Sequence, residues 1–151
     1  MSKYVIQFTG QVSNPQPTNF VLGVSSPGIN APVVLSNLDG TLNTQWNLDV
    51  ASGQIISAAD PNLCLTFVGT SPSDGTRLVL QQRLPGSLNQ RWNWVGNTPR
   101  ITVSSFPTFA IDDYDCTHTP GTPLQLYNLS GQCQAWQVIS AGDAQELAAS
   151  A

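Results

Sequence analysis

The sequence has few charged residues, and its basic residues are especially sparse. Only 9% of its 151 residues are charged, and the formal net charge at pH 7 is −4. Lys3 is the single lysine, and the four arginines are scattered along the chain. Proteins that bind a phosphate backbone need clustered lysine and arginine. We therefore expect no nucleic-acid partner.

Long apolar segments are also absent. No run has the length needed to span a bilayer, and Met1 leads directly into a short strand pattern without the apolar stretch of a signal peptide. We expect that the protein is synthesised in the cytoplasm and does not insert into a membrane. Release by a non-classical route is left open.

The three cysteines are an odd number and do not have zinc-site spacing. Cys64 lies in an apolar run, where a small buried thiol is the ordinary interpretation. Cys116 and Cys133 flank one candidate site, and the sequence leaves open whether they pair.

Catalytic patterns are missing as well. The single histidine, His118, has acidic neighbours in Asp113 and Asp115, but a histidine in a polar loop is usually just solvated. Asp112 and Asp115 have neither the signature of a glycosidase pair nor that of a calcium loop. Phosphate-binding glycine loops and nucleophile motifs are not found. We expect no enzymatic activity, no metal and no cofactor.

Short apolar runs separated by turn residues are what the sequence does contain. It has 12 glycines and 11 prolines, and its β-branched and apolar residues occur in runs of four to six, a composition typical of an all-β protein. Four such strands per repeat predict about twelve strands. The runs are YVIQF (4–8), NFVLGV (19–24), PVVLS (32–36), GQIIS (53–57), LCLTF (63–67), RLVLQ (77–81), PRITV (99–103), FAID (109–112), PLQLY (123–127) and WQVI (136–139).

Three tryptophans divide the chain into similar copies. Trp46, Trp92 and Trp136 close the segments NTQW, NQRW and CQAW at spacings of 46 and 44 residues. Ile55 and Ile101 each follow a tryptophan by nine residues, so the register extends beyond the aromatic positions. A fixed period of this size indicates a repeat architecture, in which three copies are about the minimum that closes a core.

Each repeating tryptophan is predicted to pack between neighbouring repeats, and the Asn or Gln before it to hydrogen-bond the turn backbone. Trp94 has no aromatic counterpart in the other copies and is interpreted as another inward-facing residue. We predict a single domain over residues 1–140, with repeats at about 3–48, 49–94 and 95–139. The C-terminal tail, 141–151, is expected to fray, although Asp143 to Glu146 is a possible helix start.

These endings resemble those of the ricin B-type, or R-type, lectins. The resemblance rests on Gln-x-Trp at Gln90–Trp92 and Gln134–Trp136, and on Cys64-Leu65 with the following strand. It covers residues 3 to about 139 and implies a β-trefoil of three pseudo-symmetric repeats. The first copy departs from the motif, because Thr44 stands where the glutamine is expected.

The resemblance also implies a sugar pocket made by an aspartate, an aromatic ring on the next strand, and an Asn or Gln before the tryptophan. A carboxylate accepts charge-assisted hydrogen bonds from sugar hydroxyls, and an aromatic face packs against sugar C–H groups. The third repeat has this set in Asp112, Gln125, Tyr127 and Gln134. Cys133 departs from the asparagine common in the family.

Further candidates come from the segment around this set. The polar loop from Asp113 to Gly121 is expected to form the rim of the pocket, which adds Asp115 and His118, and Asn128 follows Tyr127 directly. The alternative is a purely structural role, in which Asp112 caps a turn and Tyr127 is a half-buried strand residue.

The other two repeats lack the pattern. The second has Thr66, Val79 and Gln81 at the positions of Asp112, Gln125 and Tyr127, and the first has Gly23, Val34 and Ser36. By the lectin pattern both repeats are predicted to lack a sugar site. A shifted site near Asn37 and Asp39, or near Asp74, is left as an alternative.

The sequence thus predicts a lectin that binds galactose-type or GalNAc-containing glycans, mainly through the third repeat. The sugar type is carried over from the resemblance alone. One shallow site would bind weakly, so avidity would come from a homodimer or from further sites. The alternative is a protein-binding or protease-inhibitor module that uses the insertion at Ser13 to Asn19 and the loop at Gly69 to Gly75.

Overall fold

The computed structural model describes residues 2–94 and 99–150, and side chains as far as Glu146. The predicted start of the third repeat, 95–98, lies outside the described residues. The twelve strands are β1 Tyr4–Gly10, β2 Phe20–Gly23, β3 Val34–Asn37, β4 Trp46–Asp49, β5 Gln54–Ser57, β6 Leu63–Phe67, β7 Thr76–Gln82, β8 Trp92–Asn93, β9 Thr102–Val103, β10 Phe106–Asp113, β11 Leu124–Asn128 and β12 Ala135–Ser140.

The strands fall into three sets of four, β1–β4, β5–β8 and β9–β12, and all pair antiparallel in one network. β1 pairs with β12 from Tyr4 opposite Ser140 to Phe8 opposite Trp136, which joins the first repeat to the last. The prediction of an all-β chain with about twelve strands in three repeats is confirmed.

The three repeating tryptophans occupy equivalent places in the core. Trp46, Trp92 and Trp136 are 1%, 3% and 4% exposed. Each indole Nε1 donates a hydrogen bond of 3.0 Å to a strand carbonyl of its own repeat, at Leu22, Leu65 and Ile111 respectively. A buried indole N–H needs such an acceptor. The predicted core role of the three tryptophans is confirmed, and Trp94 is partly buried against the same core.

In the second and third repeats the Gln of the Gln-x-Trp ending holds the preceding turn, as predicted. Gln90 Nε2 donates to the carbonyl of Gln82 at 2.8 Å, and Gln134 Nε2 donates to that of Asn128 at 2.8 Å. In both of these repeats a residue near the start of the repeat donates to the same glutamine, since Gln54 Nε2 donates to Gln90 Oε1 and Arg100 Nε donates to Gln134 Oε1.

The C-terminal segment forms a helix, α1, over Ala141–Ser150. It begins two residues before the helix start considered from the sequence, and the Ser140 hydroxyl accepts a hydrogen bond from the Asp143 N–H at 3.1 Å, as a helix-capping residue does. Ala144 is 1% exposed and packs with Val5 and Val21, so α1 covers one edge of the first repeat.

Cys64 is fully buried with a free thiol, as predicted, and burial raises the pKa of that thiol to about 11. Among the described residues, no helix combines the length and apolar character required to cross a bilayer. Over the same residues, no group of three or more His, Cys, Asp or Glu side chains is arranged to hold a metal ion.

Candidate functional site

A hollow of about 440 Å³ lies over strands β10 and β11 of the third repeat. Its volume is within the range of small-molecule sites, roughly 300–1,000 Å³. We call it the third-repeat pocket. Its lining residues are Asp112, Asp113, Tyr114, Asp115, Cys116, Gln125, Tyr127, Gly131, Gln132 and Cys133.

Strand pairing explains why the central residues meet. Asp112 lies directly opposite Gln125, and Ala110 lies directly opposite Tyr127. Directly opposed residues share a face of an antiparallel sheet, and alternate residues along a strand return to that face. Asp112, Gln125 and Tyr127 therefore lie on one face, while Ile111 and Leu126, both fully buried, face the core.

Asp112 is the carboxylate at the base of the pocket and is 6% exposed. Its Oδ2 accepts a hydrogen bond from Gln125 Nε2 at 3.0 Å. Burial raises the pKa of Asp112 to about 6, the hydrogen bond from Gln125 opposes that rise, and the neighbouring charge of Asp113 adds to it. At neutral pH the group is thus mostly ionised and can accept hydrogen bonds from a ligand hydroxyl.

Gly131 lets the turn before Trp136 approach this carboxylate. A Cβ at position 131 would lie 3.0 Å from Asp112 Oδ1 and 2.5 Å from Gln134 Nε2. Side-chain Cβ atoms essentially never come as close as 2.5 Å to another heavy atom, so a side chain at this position would displace Gln134 and crowd Asp112.

A disulfide forms part of the pocket wall. Cys116 and Cys133 are bonded, with their Cα atoms 5.5 Å apart. The bond joins the 3₁₀ turn Tyr114–Cys116 to the turn before Trp136. The pairing that the sequence left open is therefore present in the structure.

Asp113 holds the same loop from beneath. Its carboxylate is buried, and it accepts hydrogen bonds from the His118 N–H at 2.9 Å and the Thr117 hydroxyl at 3.1 Å. The backbone N–H of Asp113 also donates to the Cys133 carbonyl at 3.0 Å. Asp113 therefore orders the rim, and its oxygens are already engaged.

The structure brings four of the seven predicted site residues to the pocket: Asp112, Gln125, Tyr127 and Asp115. Gln134 lies behind it, fully buried. Its Oε1 accepts from Arg100 and its Nε2 donates to the Tyr127 and Asn128 carbonyls. Gln134 thus supports the wall and presents no free polar atom to the hollow.

His118 and Asn128 are not brought to the pocket. The His118 ring contacts Phe8, with ring centroids 5.1 Å apart, and its Nδ1 lies 3.1 Å from the Cys116 carbonyl. Asn128 is turned toward Asp74, whose carboxylate accepts from the Asn128 backbone N–H and Nδ2, both at 2.9 Å. His118 orders the loop and Asn128 joins the third repeat to the second.

Gly131 and Gln132 were not singled out from the sequence, and Tyr114 was predicted only as part of the rim loop. Tyr114 is 56% exposed and stands at the rim, while Gly131 and Gln132 form the turn at the other side. An exposed aromatic in a polar loop next to a candidate aspartate was the available signal for Tyr114. Gly131 carried no such signal, because its role is a close backbone approach.

The equivalent places in the other repeats are built differently. In the second repeat Thr66 pairs with Val79, which corresponds to the pair Asp112 and Gln125. Cys64 pairs with Gln81, which corresponds to the pair Ala110 and Tyr127. A hollow of about 390 Å³ lies over this part of the second repeat. Its Thr66 hydroxyl donates a hydrogen bond to the Cys64 carbonyl and accepts one from Gln90 Nε2.

In the first repeat the space at the aspartate position is occupied. A Cβ at Gly23 would lie 2.5 Å from Ser36 Oγ. A larger side chain, such as an aspartate, therefore cannot be accommodated there without displacing Ser36.

Three four-stranded repeats closed by buried tryptophans define a β-trefoil, and the pocket on its third repeat contains a carboxylate and an aromatic ring. The model of the ricin-type β-trefoil lectin domain matches residues 5–92, and the chain belongs to this family. The matched region covers the first two repeats. Family membership supports carbohydrate binding as the function. No curated protein matches the sequence.

Solved structures share the fold. The C-half of the earthworm R-type lectin in complex with GalNAc is 15% identical with a TM-score of 0.73, covering 93% of this chain and 99% of that one. The Macrolepiota procera ricin B-like lectin in complex with lactose is 24% identical with a TM-score of 0.67, covering 90% and 93%. The designed threefold-symmetric protein ThreeFoil is 20% identical with a TM-score of 0.74, covering 91% and 97%. The predicted β-trefoil is confirmed.

Proposed function

We propose that the protein binds galactose-type or GalNAc-containing glycans non-covalently, without turnover, and that the third-repeat pocket is the main site. The observation that carries the proposal is the shared hollow of Asp112, Gln125 and Tyr127, in which a carboxylate and an aromatic ring lie on one sheet face. The lactose and GalNAc complexes of the structurally similar lectins support the choice of sugar.

The chemistry of each side chain fits one part of a pyranose. The Asp112 carboxylate accepts hydrogen bonds from vicinal hydroxyls, and Gln125, whose Nε2 is held by Asp112, keeps its carbonyl oxygen available as an acceptor. The Tyr127 ring provides a face for the sugar's C–H groups. An axial hydroxyl, as in galactose, leaves one such apolar face uninterrupted.

The direct test is isothermal titration with lactose and with GalNAc against Asp112→Ala. A hydrogen bond to a charged group contributes about 1.5–3 kcal/mol, so we expect affinity to fall at least about tenfold. Thr66→Ala is the matched control, because it removes the side chain at the equivalent position of the second repeat and is expected to leave affinity unchanged.

The competing function is tested with the same proteins. Binding that is lost in Thr66→Ala and kept in Asp112→Ala would move the site to the second repeat. Absence of glycan binding combined with inhibition of a protease would replace the proposal with the protein-binding alternative. Sedimentation of the free protein at the titration concentration tests the homodimer that we propose as the source of avidity.

A further inference from the structure

A second hollow adjoins the third-repeat pocket. It has a volume of about 400 Å³ and is lined by Gly75, Arg77, Tyr114, Pro123, Leu124 and Gln125. Tyr114 and Gln125 line both hollows, so the two spaces meet at these side chains. We call the second space the Arg77 hollow. A ligand that extends out of the third-repeat pocket across Tyr114 would enter it.

Strand register shows how the two spaces are joined. Gln125 on β11 lies opposite Asp112 on β10 and also opposite Arg77 on β7. Directly opposed residues point to the same face, so the three side chains form a row across three neighbouring strands. The row crosses from the third repeat to the second, because β7 belongs to the second repeat.

Gln125 occupies the middle of this row with its amide oriented. Its Nε2 donates to Asp112, and its Oε1 lies 3.7 Å from the position of a Cβ added at Gly75. The oxygen thus lies near Gly75, where Gln125 separates the two hollows. Glycine at position 75 has φ of +90° and leaves the floor of the Arg77 hollow without a side chain.

Arg77 is exposed, and in the part of the chain that the structure describes its guanidinium has no hydrogen-bond acceptor and no ion-pair partner. This differs from Arg83, which donates to Gln54 at 2.8 Å, and from Arg100, which donates to Gln134 at 2.8 Å. A guanidinium is always charged and presents a planar set of donors that matches a carboxylate or a sulfate.

We propose that the glycan bound by this protein has at least two units, with the second unit over Tyr114 in the Arg77 hollow and carrying an acidic group held by Arg77. The proposal rests on the proposed function, since the first unit is the one placed in the third-repeat pocket. The acidic group is a carboxylate or a sulfate, which share the geometry that Arg77 recognises.

The surrounding charges set the size of the effect. Asp74, Asp112 and Asp115 lie near or within the two hollows, and the chain is negative overall, so a free anion is not attracted to Arg77. Both carboxylate oxygens of Asp74 accept hydrogen bonds from Asn128, and among the described residues Asp74 forms no ion pair with the guanidinium. An anion attached to an anchored sugar reaches Arg77 intramolecularly, so its local concentration is high. We expect a gain of about three- to fivefold, because exposed charge pairs contribute at most about 1 kcal/mol.

The test is isothermal titration of the full chain with three disaccharides. They are N-acetyllactosamine, the same sugar with 6-O-sulfate on the N-acetylglucosamine unit, and galactosyl-glucuronic acid. We expect the wild type to bind one or both acidic sugars about three- to fivefold more tightly than the neutral one, and the preference to shrink at 0.5 M salt. Preference for only one of them distinguishes a sulfate from a carboxylate.

Arg77→Gln is expected to abolish the preference while leaving the affinity for N-acetyllactosamine within about twofold, and Arg77→Lys to retain part of it. Arg91→Gln is the control of equal charge change, since Arg91 is exposed and lines a different hollow. It is expected to keep the full preference.

Two results overturn the proposal in different ways. If the wild type binds neutral and acidic disaccharides equally, or if Arg77→Gln keeps the preference, the second subsite is wrong and the proposed function stands. If the wild type binds none of the three sugars, both the subsite and the galactose-type function fail.

Discussion

Asp112 is the residue that most clearly separates the third repeat from its sisters. The equivalent positions hold Thr66 and Gly23, and the strand register that aligns them is the same in all three repeats. A carboxylate with 6% exposure and a raised pKa is unfavourable for folding at neutral pH, whereas threonine or glycine at the same place is not. A residue that costs stability at such a position is typical of a binding site.

The raised pKa of Asp112 gives a prediction on stability. A carboxyl whose folded-state pKa lies above its ordinary value of 3.8 binds a proton more readily in the folded chain. Its contribution to stability is therefore complete below about pH 4 and is lost as the pH rises through about 6. We expect Asp112→Asn to raise the free energy of unfolding at pH 8, with a difference from the wild type that narrows toward pH 4. Urea unfolding at both pH values measures it, and an equal difference at both would contradict the shifted pKa.

Sugar binding has the opposite dependence on pH. The ionised carboxylate is the acceptor, so affinity for lactose should be constant above about pH 7 and fall as Asp112 is protonated near pH 6. Isothermal titration between pH 5 and 8 measures this, and pH-independent affinity would show that the carboxylate does not contact the sugar.

The sequence predicts some of these residues better than others, for physical reasons. Asp112, Gln125 and Tyr127 follow from a spacing that strand alternation converts into one face. Gln134 has the right side chain at the right distance, but its contacts with Arg100 and with the turn carbonyl of Asn128 use its polar atoms. Arg77 could not be predicted, because it reaches the site through the pairing of β7 with β11 between different repeats.

At the scale of elements, local composition predicts most of the strands. All ten apolar runs overlap a strand of the structure. The two strands not among those runs, β4 and β8, begin at Trp46 and Trp92, where the sequences WNLD and WN alternate apolar with polar residues. Their pairing with β5 and β9 comes from the repeat and not from a continuous apolar run.

The disulfide between Cys116 and Cys133 constrains the loop between β10 and β11. Cys116 and Cys133 are 17 residues apart, and a loop of that length contributes about 3 kcal/mol when it is closed. We expect the double variant Cys116→Ser with Cys133→Ser to lose about 2–3 kcal/mol of unfolding free energy and several-fold in lactose affinity, because one pocket wall loosens.

Reductant supplies the control for this prediction. It should reproduce both losses in the wild type and have no effect on the double variant, whose remaining cysteine is the buried Cys64. Unchanged affinity in the reduced wild type would show that the pocket wall is held by other contacts, such as those of Asp113.

For the whole molecule, threefold symmetry is a property of the core, and the binding chemistry departs from it. The same indole-to-carbonyl hydrogen bond of 3.0 Å recurs in each repeat, joining residues 24, 27 and 25 positions apart. The surface hollows at equivalent places differ in every central side chain. Because the core contact recurs in every repeat, the sequence repeat predicts the fold, whereas the site has to be judged repeat by repeat.

This symmetry predicts equal effects from equivalent core substitutions. Trp46→Phe, Trp92→Phe and Trp136→Phe each remove volume and leave a buried carbonyl without its donor, so we expect each to cost about 2–4 kcal/mol of unfolding free energy. Trp94→Phe is the comparison, because Trp94 is only partly buried, and it should cost less. Urea unfolding of the four variants measures these losses. Strongly unequal losses among the three core variants would contradict the prediction.

The most direct measurement is a titration of the ¹⁵N-labelled protein with lactose, followed by NMR. We predict that the shifts that move most belong to the third-repeat pocket, at residues 112–116, 125–127 and 131–133, together with the side-chain amide of Gln125. Movement centred on Thr66 and Gln81 instead, or no movement at millimolar lactose, would contradict the placement of the sugar between Asp112 and Tyr127.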